Sequence, residues 1–397
     1  MINPRTYEQL AARLIAAGER VSLGVGIALR KYWQQLIRDP NNINDAAYRI
    51  AVAREISKWN REAREWAKNE LALAYIQGIE HADKELAMVQ KLTGAKLRQP
   101  ARLINPFSPL LPRLPLEAFR EIVTATDGFD KYPDHRTFFG VFQRAAHYYL
   151  EGTDFQIMRA SQDLAREAAV AAGDFLFRDG DIYTRQKFAQ QMLNEFSKTG
   201  VKAIRYRNGR MVSIDAYAEM VGRSLSGRCA MQASLNRYQE HGYDLLRVSA
   251  HFRACPLCTP WEGRILSHSG QSTQYPSLQE ATEAGLFHSN CAHDINPYIP
   301  GLSQPLEVRL DPAEQELVEQ YGYQKAQEIA YEAQQRQRQI ERNIRAWKRR
   351  EAVALDAQEK AAARQKVLQW QAAQREHLRE HPYLPRHYVR ESITRAH

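Results

Sequence analysis

Five metal-type side chains within one short stretch constrain this chain more than any other feature of its sequence. Cys255 and Cys258 form a C-x2-C pair, and after a 29-residue spacer His288, Cys291 and His293 follow as H-x2-C-x-H. Two short ligand pairs separated by a loop are how a chain builds a tetrahedral zinc site, because each pair supplies two ligands from one turn. Pro256, Pro260, Gly263 and Gly270 predict turns on both sides of the metal. Residues 251–305 therefore read as a zinc-stapled unit. Cys255, Cys258 and Cys291 supply three ligands. His288 is preferred as the fourth because it repeats the two-residue spacing, and His293 either replaces it or supports it from behind. Cys229 stands apart, beside a predicted helix, and reads as a small buried residue.

The pattern is that of a closed structural site. A catalytic zinc keeps one position for water and has a general base nearby. Nucleic-acid deaminases place H-x-E ahead of their paired cysteines, but neither His241 nor His251 is followed two positions on by Glu. The H-E-x-x-H of zinc peptidases is also missing. The expectation is a non-enzyme with structural Zn2+. The alternative is a zinc-dependent nuclease or toxin-type effector.

Around this unit the chain reads as mainly α with a small α+β zinc-containing domain. Residues 1–101 form an N-terminal helical region: Leu10, Leu14 and Ala17 share one face, and Leu71, Tyr75, Ile79, Ala82, Leu86 and Val89 hold the helical period over five turns. Asn44 is a predicted N-cap. Prolines at 106, 109, 112 and 115 cannot continue a helix and mark 102–116 as a stiff linker. Residues 117–250 read as a central α+β domain. It is helical to about residue 200, has a hairpin near 204–214 around Asn208–Gly209 with positive φ at both turn positions, and has a helix from Asp215 and a strand within 243–252. Residues 306–397 form a C-terminal helical tail, with one or two long helices over roughly 312–379.

Charge adds a second theme. The chain of 397 residues carries 55 Lys and Arg against 46 Asp and Glu, a formal +9, which favours an anionic partner or merely solubility. Seven basic residues fall between Arg336 and Arg350. A 3.6-residue period aligns Arg338, Arg342, Arg345 and Arg349 on one face, with Ile340, Ile344 and Trp347 on another. That face is the candidate contact for double-stranded DNA without sequence specificity. Removing everything after Pro312 is then expected to abolish DNA binding while leaving the zinc unit folded. No apolar run approaches the ~20 residues of a membrane span. The start MINPRTYEQL lacks a signal-peptide pattern, so synthesis in the cytoplasm is expected. Four cysteines in such a chain do not make a disulfide framework.

Three blocks in order give the chain a resemblance. TPWEGRILS follows the first pair, and YPSLQEATEAGLFHSNCAHDINPYIPG completes the unit. This resembles the phage minor capsid proteins of the second type, relatives of the Mu F-like head morphogenesis proteins. Upstream, RNGRMVSIDAYAEMVGRSL is similar to that family's hairpin-plus-helix, whose aromatic, methionine and arginine are matched by Tyr217, Met220 and Arg223. Ser224 stands where the family commonly has threonine. Downstream, the run from Gln335 to Arg379 is similar to the family's helical tail. The resemblance covers roughly residues 200–380. It implies a structural virion component of a tailed bacteriophage, low in copy near the portal vertex. Such a protein assists head assembly, genome packaging or DNA delivery. Its implied partners are the portal protein and other head proteins, and its implied place is the capsid after synthesis in the bacterial host cytoplasm.

Overall fold

The computed structural model describes residues 4–38, 45–93, 110, 135–176, 182–206, 208–289 and 291–393. Eleven helices run through these residues: α1 (Pro4–Arg38), α2 (Asp45–Lys68), α3 (Glu70–Thr93), α4 (His135–Leu150), α5 (Thr153–Leu176), α6 (Ile182–Thr199), α7 (Ile214–Glu240), α8 (Leu278–Glu283), α9 (Pro312–Tyr321), α10 (Tyr323–Val353) and α11 (Ala357–Glu380). Five short strands make a two-stranded ribbon, β1 (Ile204–Arg205) with β2 (Met211–Val212), and a three-stranded antiparallel sheet. The sheet has the order β4 (Ile265–Ser267), β3 (Leu245–Val248), β5 (Ile295–Pro297). The chain is thus mainly α with small α+β elements. No helix among the described residues is long and apolar enough to cross a membrane.

The chain packs as two compact units, each gathered from three separated stretches. Unit 1 comprises residues 1–12, 64–150 and 220–331; unit 2 comprises 13–63, 151–219 and 332–397. The sequential segments bounded at 101, 117, 250 and 306 therefore describe chain order rather than packing. The 102–116 linker, apart from Leu110, and the Asn44 cap lie outside the described residues.

Unit 1 is built on α3, α4 and α7. Of the face read from the sequence, Leu71, Tyr75, Ile79, Ala82 and Leu86 are buried and Val89 is half-buried. Gly78 lies on this face because α7 passes against it: an added Cβ would fall 2.1 Å from the Ala230 carbonyl oxygen. The Ser234 hydroxyl donates to the Gly78 carbonyl at 2.8 Å across the same contact. A buried polar chain closes one end. Asn236 Nδ2 donates to the Tyr75 hydroxyl at 2.7 Å, Tyr75 meets His135 Nδ1 at 3.2 Å, and His135 Nε2 meets Glu240 at 3.0 Å. Arg237 then joins Glu240 to Asp83. Each buried group finds a partner, as burial demands. The sheet joins this frame through one apolar cluster that includes Leu86, Leu235, Tyr238, Leu246, Val248, Leu266, Leu286 and Ile295.

Unit 2 buries Leu14, Val21, Leu29 and Trp33 from α1, Val52 and Trp59 from α2, Leu193 and Phe196 from α6, and Ile340 and Ile344 from α10. Full burial of such side chains contributes about 1.5–3 kcal/mol each. Trp59 Nε1 donates to Thr153 at 2.9 Å, and the Tyr48 hydroxyl donates to the Ser161 carbonyl at 2.8 Å, satisfying the polar ends of two aromatics.

Two expectations need correction. The hairpin lies where it was read, but only Gly209 has positive φ (80°); Asn208 does not. Gly209 N–H bonds Tyr206 O and Tyr206 N–H bonds Arg210 O, each at 2.9 Å, so the loop has three residues and ends on a left-handed glycine. Asn208 Oδ1 instead accepts from Arg210 N–H at 3.1 Å. The tail holds three helices rather than one or two. Gly322, with φ 76°, ends α9, and Asp356 caps a fresh start at α11.

Candidate metal centre

Strand register brings the two ligand pairs to one edge of the sheet. Val248, the last residue of β3, pairs with Ile295, the first of β5, and Arg247 pairs with Ile265, the first of β4. The chain leaves β3, makes the Cys255–Cys258 turn and returns into β4 at that edge. The second pair enters β5 there. Each pair is one tight turn: Cys258 N–H bonds Cys255 O at 3.0 Å, and Cys291 N–H bonds His288 O at 2.9 Å. The first turn puts Cys255 and Cys258 in one group, whereas the second sends His288 toward Cys255 and Cys291 toward Cys258.

The approach to the second turn is strained. Phe287 has φ 59°, a left-handed conformation unusual for an aromatic residue and costing on the order of 1–3 kcal/mol. This kink sends the phenyl ring into the core, 1% exposed, while the next residue, His288, reaches Cys255. Helix α7 holds the turn from the side: the Arg228 guanidinium donates to Phe287 O at 2.9 Å, and Ser224 Oγ donates to Ser289 O at 2.6 Å. Ser224 stands where the resemblance implies threonine, and its hydroxyl makes this contact.

The five sequence-predicted donors gather as two neighbouring groups. Cys255 Sγ lies 3.0 Å from His288 Nε2, Cys258 Sγ 3.5 Å from Cys291 Sγ, and Cys291 Sγ 3.3 Å from His293 Nδ1. Cys258 belongs to two ligand-sized groups, one with Cys255 and His288, the other with Cys291 and His293. Cys258 and His293 are buried; the other three are half-buried. Three sulfurs with imidazole nitrogens are a soft set that fits Zn2+ far better than Mg2+ or Ca2+. Cys229, as expected, is buried elsewhere, and its thiol reaches Leu71 O.

One contributor was not legible in the sequence. Glu262 Oε1 lies 3.0 Å from His293 Nε2 and accepts from the His251 backbone N–H at 2.7 Å, while Oε2 accepts from Gln327 at 2.9 Å. The His251 ring packs on His293 with centroids 4.4 Å apart. Only the position of Glu262, four residues past Cys258, hints at this role.

The electrostatics follow from crowding. The bond to Cys291 and burial raise the Cys258 thiol, and burial raises Cys255. The bond from Cys258 lowers Cys291. Burial opposes charge on His293, but Cys258 and Glu262 outweigh it and carry the ring up to about 9. Burial and the neighbouring His293 push His251 down to about 4. Glu262 is held low despite burial, chiefly by its bond with His293. A cation entering here would replace the protons that now mediate these contacts.

The basic face predicted on α10 is not one exposed stripe. Arg342 is exposed and Arg338 half-buried. Arg345 turns inward, 3.8 Å from Glu19, and also donates to the Arg390 carbonyl. Arg349 is 7% exposed, donates to Ser197 O at 3.1 Å and lies 3.5 Å from Asp215. Helical period assigns a face, but neighbouring carboxylates decide which guanidiniums are drawn inside. Within the tail, His377, Glu380 and His381 also lie close together, with His377 Nε2 on the Ala333 carbonyl at 2.9 Å.

Three thiols and two imidazoles thus gather beside a small sheet within a helical frame, as a candidate metal centre. Comparison with known proteins places the chain further. Residues 179–379 match the family described as phage minor capsid protein 2, and the chain belongs to that family. It is 24% identical over 251 residues to a structural protein of Lactococcus phage LL-H, covering 59% of this chain and 62% of that protein. It is 30% identical over 131 residues to a structural protein of Lactococcus phage mv4, covering 30% of this chain and 94% of that one. The chain thus spans less than two thirds of the LL-H protein's length. No solved structure matches.

Proposed function

We propose that this protein is a structural minor component of a tailed-phage head, low in copy near the portal vertex, where it assists head assembly, genome packaging or DNA delivery. The family match over residues 179–379 carries this reading. Zn2+ held at the sheet edge acts as a structural staple. Both carboxylate oxygens of Glu262 are taken up by His251, His293 and Gln327, which favours a scaffold over a catalyst. The partners are the portal protein and other head proteins, with packaged double-stranded DNA as a sequence-independent contact. The protein is made in the host cytoplasm and carried in the virion.

The test is affinity purification from infected cells, joined to a mass-spectrometric inventory of purified virions. The expected result is co-purification of portal protein and a copy number well below that of the major capsid protein. Absence from virions, with no portal protein recovered, would overturn the assignment.

A further inference from the structure

The five donors outnumber the four positions of a tetrahedral zinc, and the distances discriminate between the two histidines. Zn–S bonds of about 2.3 Å and Zn–N bonds of about 2.0–2.1 Å at tetrahedral angles place bound S···S pairs about 3.8 Å apart and S···N pairs about 3.6 Å apart. Cys258 and Cys291 stand 3.5 Å apart, and Cys291 and His293 Nδ1 3.3 Å, each within about 0.3 Å of those spans. His288 Nε2 stands at 3.0 Å from Cys255, too close for two ligands on one metal and right for an N–H donating to sulfur. Cys255 groups with Cys258 and His288 and not with Cys291 and His293, so completing the four-ligand set requires its sulfur to move toward the second group. The rings also differ in support. His293 is 2% exposed and stacked on His251, and its Nε2 is committed to Glu262, leaving Nδ1 aimed at the sulfurs.

We infer that the site is Cys255, Cys258, Cys291 and His293 Nδ1, that His288 donates a hydrogen bond to the Cys255 sulfur, and that Glu262 is the positioning carboxylate linking the metal to the start of α10 through Gln327. This rests on the zinc reading above. A ligating imidazole whose other nitrogen donates to a carboxylate is the recurrent way a protein fixes ring and tautomer at a metal. Here the carboxylate is itself fixed from two sides, by the His251 N–H and by Gln327. Two further contacts bring the strap before Cys255 to the same helices. Arg253 pairs with Glu314 on α9 at 2.9 Å, and Phe252 meets Tyr323 at the head of α10 with centroids 5.8 Å apart. Metal, strap and residues 323–331 are therefore one cooperative element within unit 1.

The experiment uses the full chain, loaded with zinc for affinity by competition with a chromophoric chelator, and with Co2+ for its ligand-field and thiolate charge-transfer bands. Wild type should bind one metal with a three-sulfur, one-nitrogen spectrum. His288→Ala should keep one metal and the cobalt bands, and His293→Ala should lose both. Glu262→Gln should keep its far-UV circular dichroism and bind zinc roughly 10–100-fold more weakly. Removing zinc from wild type should raise hydrogen exchange in residues 323–331, and Gln327→Ala should uncouple that exchange from the metal. A wild type that binds no zinc defeats the metal reading itself. A wild type with one zinc, alongside loss of metal in His288→Ala or unchanged affinity in Glu262→Gln, defeats only the present inference; Glu262→Gln keeps it testable even if His293→Ala does not fold.

Discussion

Cys258 is the donor on which the others converge, and it is fully buried among Leu246, Leu266, Leu286 and Phe287. Its sulfur faces the candidate metal cluster and the apolar core at once. Structural zinc contributes roughly 10 kcal/mol of apparent binding free energy to small zinc domains, so under the proposed zinc reading loss of Cys258 would outweigh any repacking. Cys258→Ser is expected to abolish zinc by elemental analysis and to raise hydrogen exchange through residues 251–300. Cys229→Ser, at an equally buried thiol outside the cluster, should keep one zinc. Retention of zinc by Cys258→Ser would remove it from the ligand set. The clustering of these side chains was legible because thiols and imidazoles at two-residue spacing have few other reasons to recur. Glu262 was not, since nothing local tells a reader that a glutamate will stand behind a histidine thirty-one positions on. The kink at Phe287 was equally hidden, because sequence rules reserve positive φ for glycine and asparagine.

Helix α10 shows what periodicity can and cannot convey. Of the stripe Ile340, Ile344 and Trp347, the two isoleucines are buried and the tryptophan is half-buried. The basic residues beside it were read as solvent-facing, yet two of them enter unit 2 with the acids they meet. Glu341, 2% exposed, is the acid least well served. Burial raises its carboxyl to about 7 against an ordinary 4.5, and Arg345 and Arg338 only partly offset this. Arg390 stands 4.0 Å away, and Glu391 and Glu219 add like charge. With the folded pKa above the unfolded one, the folded state binds more protons between pH 4.5 and 7. Stability from this group is present below 4.5 and is lost as pH rises through 7, about 3 kcal/mol in all. Glu341→Gln should flatten that decline, raising Tm at pH 8 relative to wild type more than at pH 5, measured by calorimetry. An identical pH profile in the two proteins would mean that the arginines compensate the charge fully.

At the scale of the molecule, the two units change how the DNA question must be asked. Truncation after Pro312 would strip Glu314 and Gln327 from their partners beside the metal, so it cannot isolate the tail as the sequence implied. Charge reversal at the exposed positions can. Arg336→Glu with Arg342→Glu is expected to weaken binding to duplex DNA of any sequence and to lower the slope of log K against log salt by about 2, near 0.9 per phosphate contact. Equal binding and slope in both proteins, measured by fluorescence anisotropy at low salt, would leave the helix a protein-docking element. The interleaving also governs how the chain comes off the ribosome. Unit 1 draws on residues 220–331 and unit 2 on 332–397, so neither can close when residue 150 emerges. At ~5–20 residues per second, the helices α3 and α4 wait on the order of ten seconds or more for α7, the cysteine turns and the head of α10. Their apolar faces stay open to chaperones throughout, and the candidate metal cluster is incomplete until His293 has emerged. A recombination crossover at any single point between residues 13 and 331 would join mismatched halves of at least one unit, so exchange among relatives should favour the gene as a whole.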